Sequence, residues 1–214
     1  LVGILAPDVP CVCMVGKTWD FHVDVALEIE HEENIRMITD SVKLALIRKE
    51  EVMFDAEHFF DGYKSNPEFA MACLKAAYDA GTRWVVLCDT NGGTLPHEIS
   101  QIVEDVIKHI PGTHVGIHAH NDTGNAIANS LAAVVAGVRQ VQGTLNGLGE
   151  RCGNADLISI IPSLVLKMGY ETNVAQEDLK QLTQISRMLD ERLNRAPSRD
   201  APYKKPALSC RPLC

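Results

Sequence analysis

Short apolar runs rich in Val and Ile alternate along the chain with longer stretches whose apolar residues recur at helical spacing. The runs predict strands at Pro10 to Val15, Val52 to Asp55, Trp84 to Cys88, His114 to Ile117 and Val138 to Gln142. Each is nearly continuous in apolar content, as expected of strands buried on both faces of a parallel sheet. The stretches between them predict helices at about Ile29 to Ile47, Pro67 to Ala80, Pro96 to His109, Thr123 to Ala136 and Asp156 to Met168. A last helix, about Gln176 to Leu193, sets Leu179, Leu182, Ile185, Leu189 and Leu193 on one face. Pro67 and Pro96 suit a first helical turn, where no N–H is needed, and Gly81, Gly137 and Gly169 suit helix ends.

Five βα units in series with no strand-only region leave two architectures, an open doubly wound sheet and a (β/α)₈ barrel. No strand is followed by the G-x-G-x-x-G fingerprint of a dinucleotide-binding sheet. The polar residues collect instead just after the strand ends, in Asp55-Ala56-Glu57-His58, Asp89-Thr90-Asn91-Gly92-Gly93, His118-Ala119-His120-Asn121-Asp122 and Asn146-Gly147-Leu148-Gly149-Glu150-Arg151. A barrel places its active site there. The expectation is an incomplete TIM barrel of about five βα units, with residues 1–195 as a partial catalytic domain and 196–214 as a divergent tail.

Composition narrows the function. Of 214 residues 46% are hydrophobic and 22% charged, the mix of an ordinary globular chain. Twenty Lys plus Arg against 28 Asp plus Glu give a formal charge of −8, which repels a phosphate backbone and argues against nucleic acid as partner. No apolar run approaches the roughly 20 residues of a membrane span, and the first ten residues lack a basic leader, so a cytoplasmic location and no membrane partner are expected. Seven cysteines without a Cys-x-x-Cys pair, mostly inside apolar stretches, read as reduced, buried thiols. Cys11 and Cys13, at i and i+2, are expected in the core.

His118-Ala119-His120 is the sharpest chemical feature. Side chains at i and i+2 of a strand point the same way, so two imidazoles can reach one ion with little backbone distortion. Two half-buried histidines, each hydrogen-bonded to a neighbour, are the plainer alternative. An ion held by two imidazoles needs oxygen ligands as well, and Asp55, Glu57, Asp89, Asp122, Glu150 and Asn154 all lie near strand ends. Glu57 reads as a general base, a carboxylate supporting a ligand, or a partner for Lys or Arg. Thr90 and Asn91 offer a hydroxyl and an amide beside Gly92-Gly93, where a ligand can approach the backbone.

Four motifs together are more specific than any one of them. Asp55-Ala56-Glu57-His58-Phe59-Phe60-Asp61-Gly62-Tyr63, Cys88-Asp89-Thr90-Asn91-Gly92-Gly93-Thr94-Leu95-Pro96, His118-Ala119-His120-Asn121-Asp122 and Gly147-Leu148-Gly149-Glu150-Arg151-Cys152-Gly153-Asn154-Ala155 resemble the 2-isopropylmalate, homocitrate and citramalate synthase family. The wording is closest to the (R)-citramalate branch, and the resemblance runs from about Pro10 to Pro202.

The resemblance implies a (β/α)₈ acyltransferase, dependent on Mg²⁺, Mn²⁺ or Zn²⁺, that condenses acetyl-CoA with a 2-oxo acid, pyruvate favoured, and then hydrolyses the thioester. It implies His118 and His120 as metal ligands, Asn154 as a direct or water-mediated contact, Glu57 and Thr90 in the substrate pocket, and a homo-oligomer in the full-length form. Two departures stand beside it. The family's first-strand Arg-Asp pair has no match, as if the chain began near the fourth strand, and Lys204 to Cys214 replace an expected His-bearing segment. Truncation or a frame shift of a longer gene is the expectation these set up. The alternatives are a metal-dependent lyase of the hydroxymethylglutaryl-CoA lyase type and a non-catalytic partner fragment.

Overall fold

The computed structural model describes residues 8–198 and 201–203, in two compact units, Leu1–Gln142 and Gly143–Cys214. Cys210, Cys214 and the tail from Lys204 lie outside the described residues.

In the first unit five strands, β1 (Cys11–Lys17), β2 (Glu51–Glu57), β3 (Trp84–Asp89), β4 (Val115–Ala119) and β5 (Gln140–Gln142), pair in sequence order. Every pair is parallel. A doubly wound sheet reverses its strand order at a switch point; this one never does. Right-handed crossovers that all step the same way leave every connecting helix on one face. The sheet also curls away from those helices. Flat, β2 and β5 would lie about 14 Å apart, three spacings of roughly 4.8 Å. Yet Gln142 Nε2 on β5 lies 3.0 Å from Asp55 Oδ1 on β2, and Gln140 Nε2 lies 3.9 Å from Met53 Sδ. Order and curvature are those of consecutive strands of a (β/α)₈ barrel.

The core lies between strands and helices. Val52, Phe54, Ala56, Val85, Leu87, Val115 and Ile117 are buried beneath α1 (His31–Leu46), α2 (Phe59–Ser65), α3 (Pro67–Asp79), α4 (Pro96–Val106) and α5 (Ala126–Ala136). The expected signals work locally. Asn66 Oδ1 accepts from Phe69 N at 3.1 Å with Pro67 in the first turn of α3, and Glu98 Oε2 accepts from Leu95 N at 2.8 Å ahead of Pro96 in α4. Gly81 and Gly137, at φ 109° and 124°, follow α3 and α5 in backbone that L side chains avoid.

Several expectations are corrected. Only the outer face of the sheet is fully covered; on β1, Val12 and Met14 are buried while Cys13 and Val15 are exposed. Cys11 is therefore half-buried and Cys13 exposed, neither a core residue, because both sit on the inner parity of an edge strand. β1 and β2 extend two residues further than the apolar runs, to Lys17 and Glu57, since a strand end at the barrel mouth is polar. The segment after Glu57, for which the apolar spacing predicts no helix, forms α2, which buries Phe59 and Phe60. Helix α5 starts at Ala126 rather than Thr123, because Thr123 N and Oγ1 both donate to Gly92 O and Asn121 Oδ1 accepts from Ala126 N.

The second unit holds α6 (Leu157–Pro162), started by Asp156 Oδ1 accepting from Ile158 N at 2.9 Å, and α7 (Leu182–Arg192), preceded by a tight helical stretch Gln176–Gln181. The buried side of α7 is Leu182, Ser186 and Asp190, whereas Leu193, expected in the apolar face, is 44% exposed. Asn146 explains the difference. Its Nδ2 donates to Asp190 Oδ1 at 2.9 Å and to Ser186 O at 3.1 Å, and Ser186 Oγ donates to Asn146 Oδ1 at 2.6 Å. Among the described residues no helix is long and apolar enough to cross a membrane.

Candidate active site

Strand parity decides which side chains meet at the C-terminal mouth of the sheet. Lys17 is in register with Glu57, Cys88 with His118, and His118 with Gln142. These positions share the concave face with Asp55, and His120 follows on the parity of His118. Asp89 is in register with Ala119 and points the other way.

The two imidazoles come together as their spacing predicts, with ring centroids 5.2 Å apart and planes at 34°. His118 Nδ1 lies 2.7 Å from Gln142 Oε1, and Gln142 Nε2 donates to Asp55 Oδ1 at 3.0 Å. Asp55 thus supports the histidine through Gln142. Although Cys13 is exposed as a residue, desolvation of its sulfur and the Asp55 carboxylate beside it push the thiol up to about 12, so Cys13 stays protonated near neutrality. Burial holds the Cys88 thiol well above its ordinary range as well.

Glu57 is half-buried and ion-paired with Lys17 Nζ, the Lys/Arg-partner alternative among its expected roles. Thr90 Oγ1 accepts from His58 N at 2.9 Å, which ties the loop after β2 to the loop after β3. His58 sits at φ 56°, its Nδ1 lies 3.3 Å from Asp61 Oδ2, and Asn91 Nδ2 donates to the same Asp61 oxygen at 3.0 Å. The His22 ring meets His58 edge-on, and Trp19 packs against both. His22 Nδ1 and Trp19 Nε1 are buried with no hydrogen-bond partner among the described residues. Burial first, then His58 and Lys17, holds the His22 imidazole below its ordinary range.

Asp89, a candidate oxygen ligand from sequence, is instead fully buried on the helix side, where it accepts from Thr94 Oγ1 at 2.9 Å and Asn129 Nδ2 at 3.3 Å. Burial raises its carboxyl above the usual range. Its own backbone oxygen accepts from His120 N at 3.2 Å, so it braces the strand that carries the histidines.

Asn154 and Glu150 belong to the second unit. Asn154 Nδ2 donates to Leu148 O at 3.0 Å, and Glu150 is exposed and paired with Arg151. The glycines let that loop fold on itself, since a Cβ on Gly153 would fall 2.1 Å from Gly147 O. Among the described residues no three His, Cys, Asp or Glu groups gather closely enough to hold an ion. The donors present, two neighbouring imidazoles of one strand, fit a divalent cation as part of a ligand set.

Lys17, Gln142, His22 and His58 were not singled out by motif spacing. The shared parity of Gln140 and Gln142 on a short strand is the signal that could have found Gln142.

The HMGL-like family profile matches residues 7–189. The (R)-citramalate synthase of Aquifex aeolicus is 53% identical over 201 residues, 94% of this chain and 38% of that protein. That of Geobacter sulfurreducens is 53% identical over 195 residues, 91% of this chain and 37% of that protein. A 2-isopropylmalate synthase of Buchnera aphidicola is 33% identical over 174 residues, 78% of this chain and 33% of that protein. The chain spans a little over a third of the length of its citramalate synthase relatives. Among solved structures, the hydroxymethylglutaryl-CoA lyase of Pseudomonas aeruginosa superposes with a TM-score of 0.74 at 18% identity, covering 89% of this chain and 66% of that one. This last likeness is one of fold.

Proposed function

The chain belongs to the HMGL-like family, and from that premise we propose that it carries part of the catalytic barrel of a citramalate-type acyltransferase. The substrates of that reading are acetyl-CoA and a 2-oxo acid, with pyruvate favoured. The observation that supports it most is the side-by-side placement of His118 and His120 on the concave face, in a chain 53% identical to an (R)-citramalate synthase.

In this reading His118 and His120 hold a divalent ion, which when bound supplies Lewis acidity toward the 2-oxo acid's carbonyl. The chain's own residues set the rest of the pocket. Lys17 keeps Glu57 turned into the mouth, where its carboxylate faces the reacting acyl group. Thr90 fixes the backbone of His58 and with it the rim on which Trp19, His22 and His58 exclude water.

The test is thiol release from acetyl-CoA with pyruvate, by the longest protein that contains this chain. Metal-dependent release that His120→Ala abolishes is the expected result. Cleavage of hydroxymethylglutaryl-CoA without condensation would overturn the reading in favour of a lyase.

A further inference from the structure

The hydrogen bonds that cross the concave face have a direction. An ionised carboxylate only accepts, so the group that Gln142 presents to Asp55 Oδ1 at 3.0 Å is its NH₂. Turning the amide over would set two oxygens against each other at that distance. The Gln142 carbonyl oxygen therefore faces His118 Nδ1 at 2.7 Å, and an oxygen with no hydrogen can only accept from it.

We infer that Gln142, oriented by Asp55, is a positioning residue that locks His118 as the Nδ1–H tautomer, so that the lone pair of this imidazole is on Nε2 and is offered to a divalent cation. The tautomer follows from the Asp55–Gln142–His118 hydrogen bonds; the use of Nε2 for a cation rests on the functional reading above. Fixing the ring this way removes both the tautomeric mixture and the ring flip that a cation would otherwise have to select against, which is how a partner behind a ligating histidine raises its affinity.

The test uses the whole chain, ¹⁵N-labelled and freed of metal with EDTA at pH 8. Magic-angle-spinning ¹⁵N spectra read associated as well as monomeric protein, and His118→Gln assigns the His118 signals. The expected spectrum shows a protonated Nδ1 and a bare Nε2 at His118. Gln142→Met removes the acceptor and admits the other tautomer, and Asp55→Asn, an isosteric change, does the same by freeing the amide to turn over. A protonated Nε2 in the unaltered chain, or an unchanged His118 spectrum in both variants, overturns the inference. Co²⁺ titration separates the two levels. Weakening by about 10–100-fold in Gln142→Met is expected, whereas the expected tautomer with unchanged Co²⁺ affinity overturns the cation role alone and keeps the positioning.

Discussion

The imidazole of His22 meets that of His58 edge-on, with ring centroids 4.4 Å apart and planes at 83°. His22 is held below its ordinary value of 6.5 by burial, His58 and Lys17, against the opposing pull of Glu57 and Asp61. A lowered folded value means that, as pH falls below 6.5, the unfolded chain takes up a proton that the folded chain refuses. Stability contributed by this site is therefore full above that value and lost on acidification. Urea midpoints at pH 7.5 and 5.5 should fall further for the unaltered chain than for His22→Gln; equal falls would contradict this account.

In the proposed function, metal binding would depend on both imidazoles of one strand. Because only two such donors gather among the described residues, the chain should bind Mn²⁺ or Co²⁺ weakly, and His118→Ala or His120→Ala should each weaken binding at least about tenfold, roughly 1.4 kcal/mol. Calorimetric titration checks this. Tight binding that survives either change would place the ion elsewhere.

Gly62 lies where α2 crosses the segment after β1. A Cβ there would come 2.4 Å from Thr18 O and 2.9 Å from Trp19 Cα, both backbone atoms that cannot swing aside. Gly62→Ala is expected to destabilise by about 1–3 kcal/mol through overpacking, read from urea unfolding. It should also shift the Trp19 fluorescence, since the displaced segment carries that ring.

Asn146 combines backbone strain with buried partners, at φ 61° and bonded to Ser186 and Asp190. Asn146→Ala should cost about 2–4 kcal/mol, and Asn146→Gly about 1 kcal/mol less, because glycine keeps the left-handed backbone while losing the same hydrogen bonds. Equal losses in thermal or urea unfolding would assign everything to the hydrogen bonds.

Helix α1 carries Met37 and Leu44 at 48% and 45% exposure, and Ile47 just past its end is 75% exposed, beside β1, which pairs on one side only among the described residues. An open strand edge next to exposed apolar side chains favours association. Size-exclusion chromatography should show the chain self-associated or poorly soluble, and Leu44→Lys with Ile47→Lys should shift it toward monomer. A stable monomer without those changes would count against the surface as sticky.

Much of this was legible from residue order. The βα alternation, the start signals at Pro67 and Pro96, and the common direction of His118 and His120 follow from local periodicity, and the structure keeps all three. Local pattern failed where a tertiary contact outweighed it. Helix α2 was hidden because its seven residues are too few for a periodicity to show. The apolar face predicted for α7 holds at Leu182 and in part at Leu179, Ile185 and Leu189 but fails at Leu193, while Ser186 and Asp190 are buried beside it through the Asn146 amide. Asp89 reads from sequence as a possible ligand because a carboxylate at a strand end does not announce its parity until the register is known.

By itself the sequence determined which positions are apolar, the order of strands and helices, and the wording of the strand-end motifs, since each depends on neighbours a few residues apart. Only the tertiary structure decided that Gln142 stands between His118 and Asp55, the latter 87 residues away in the chain. That meeting requires the accumulated curl of four paired strands, a property of their hydrogen-bonded register and twist that no single strand carries.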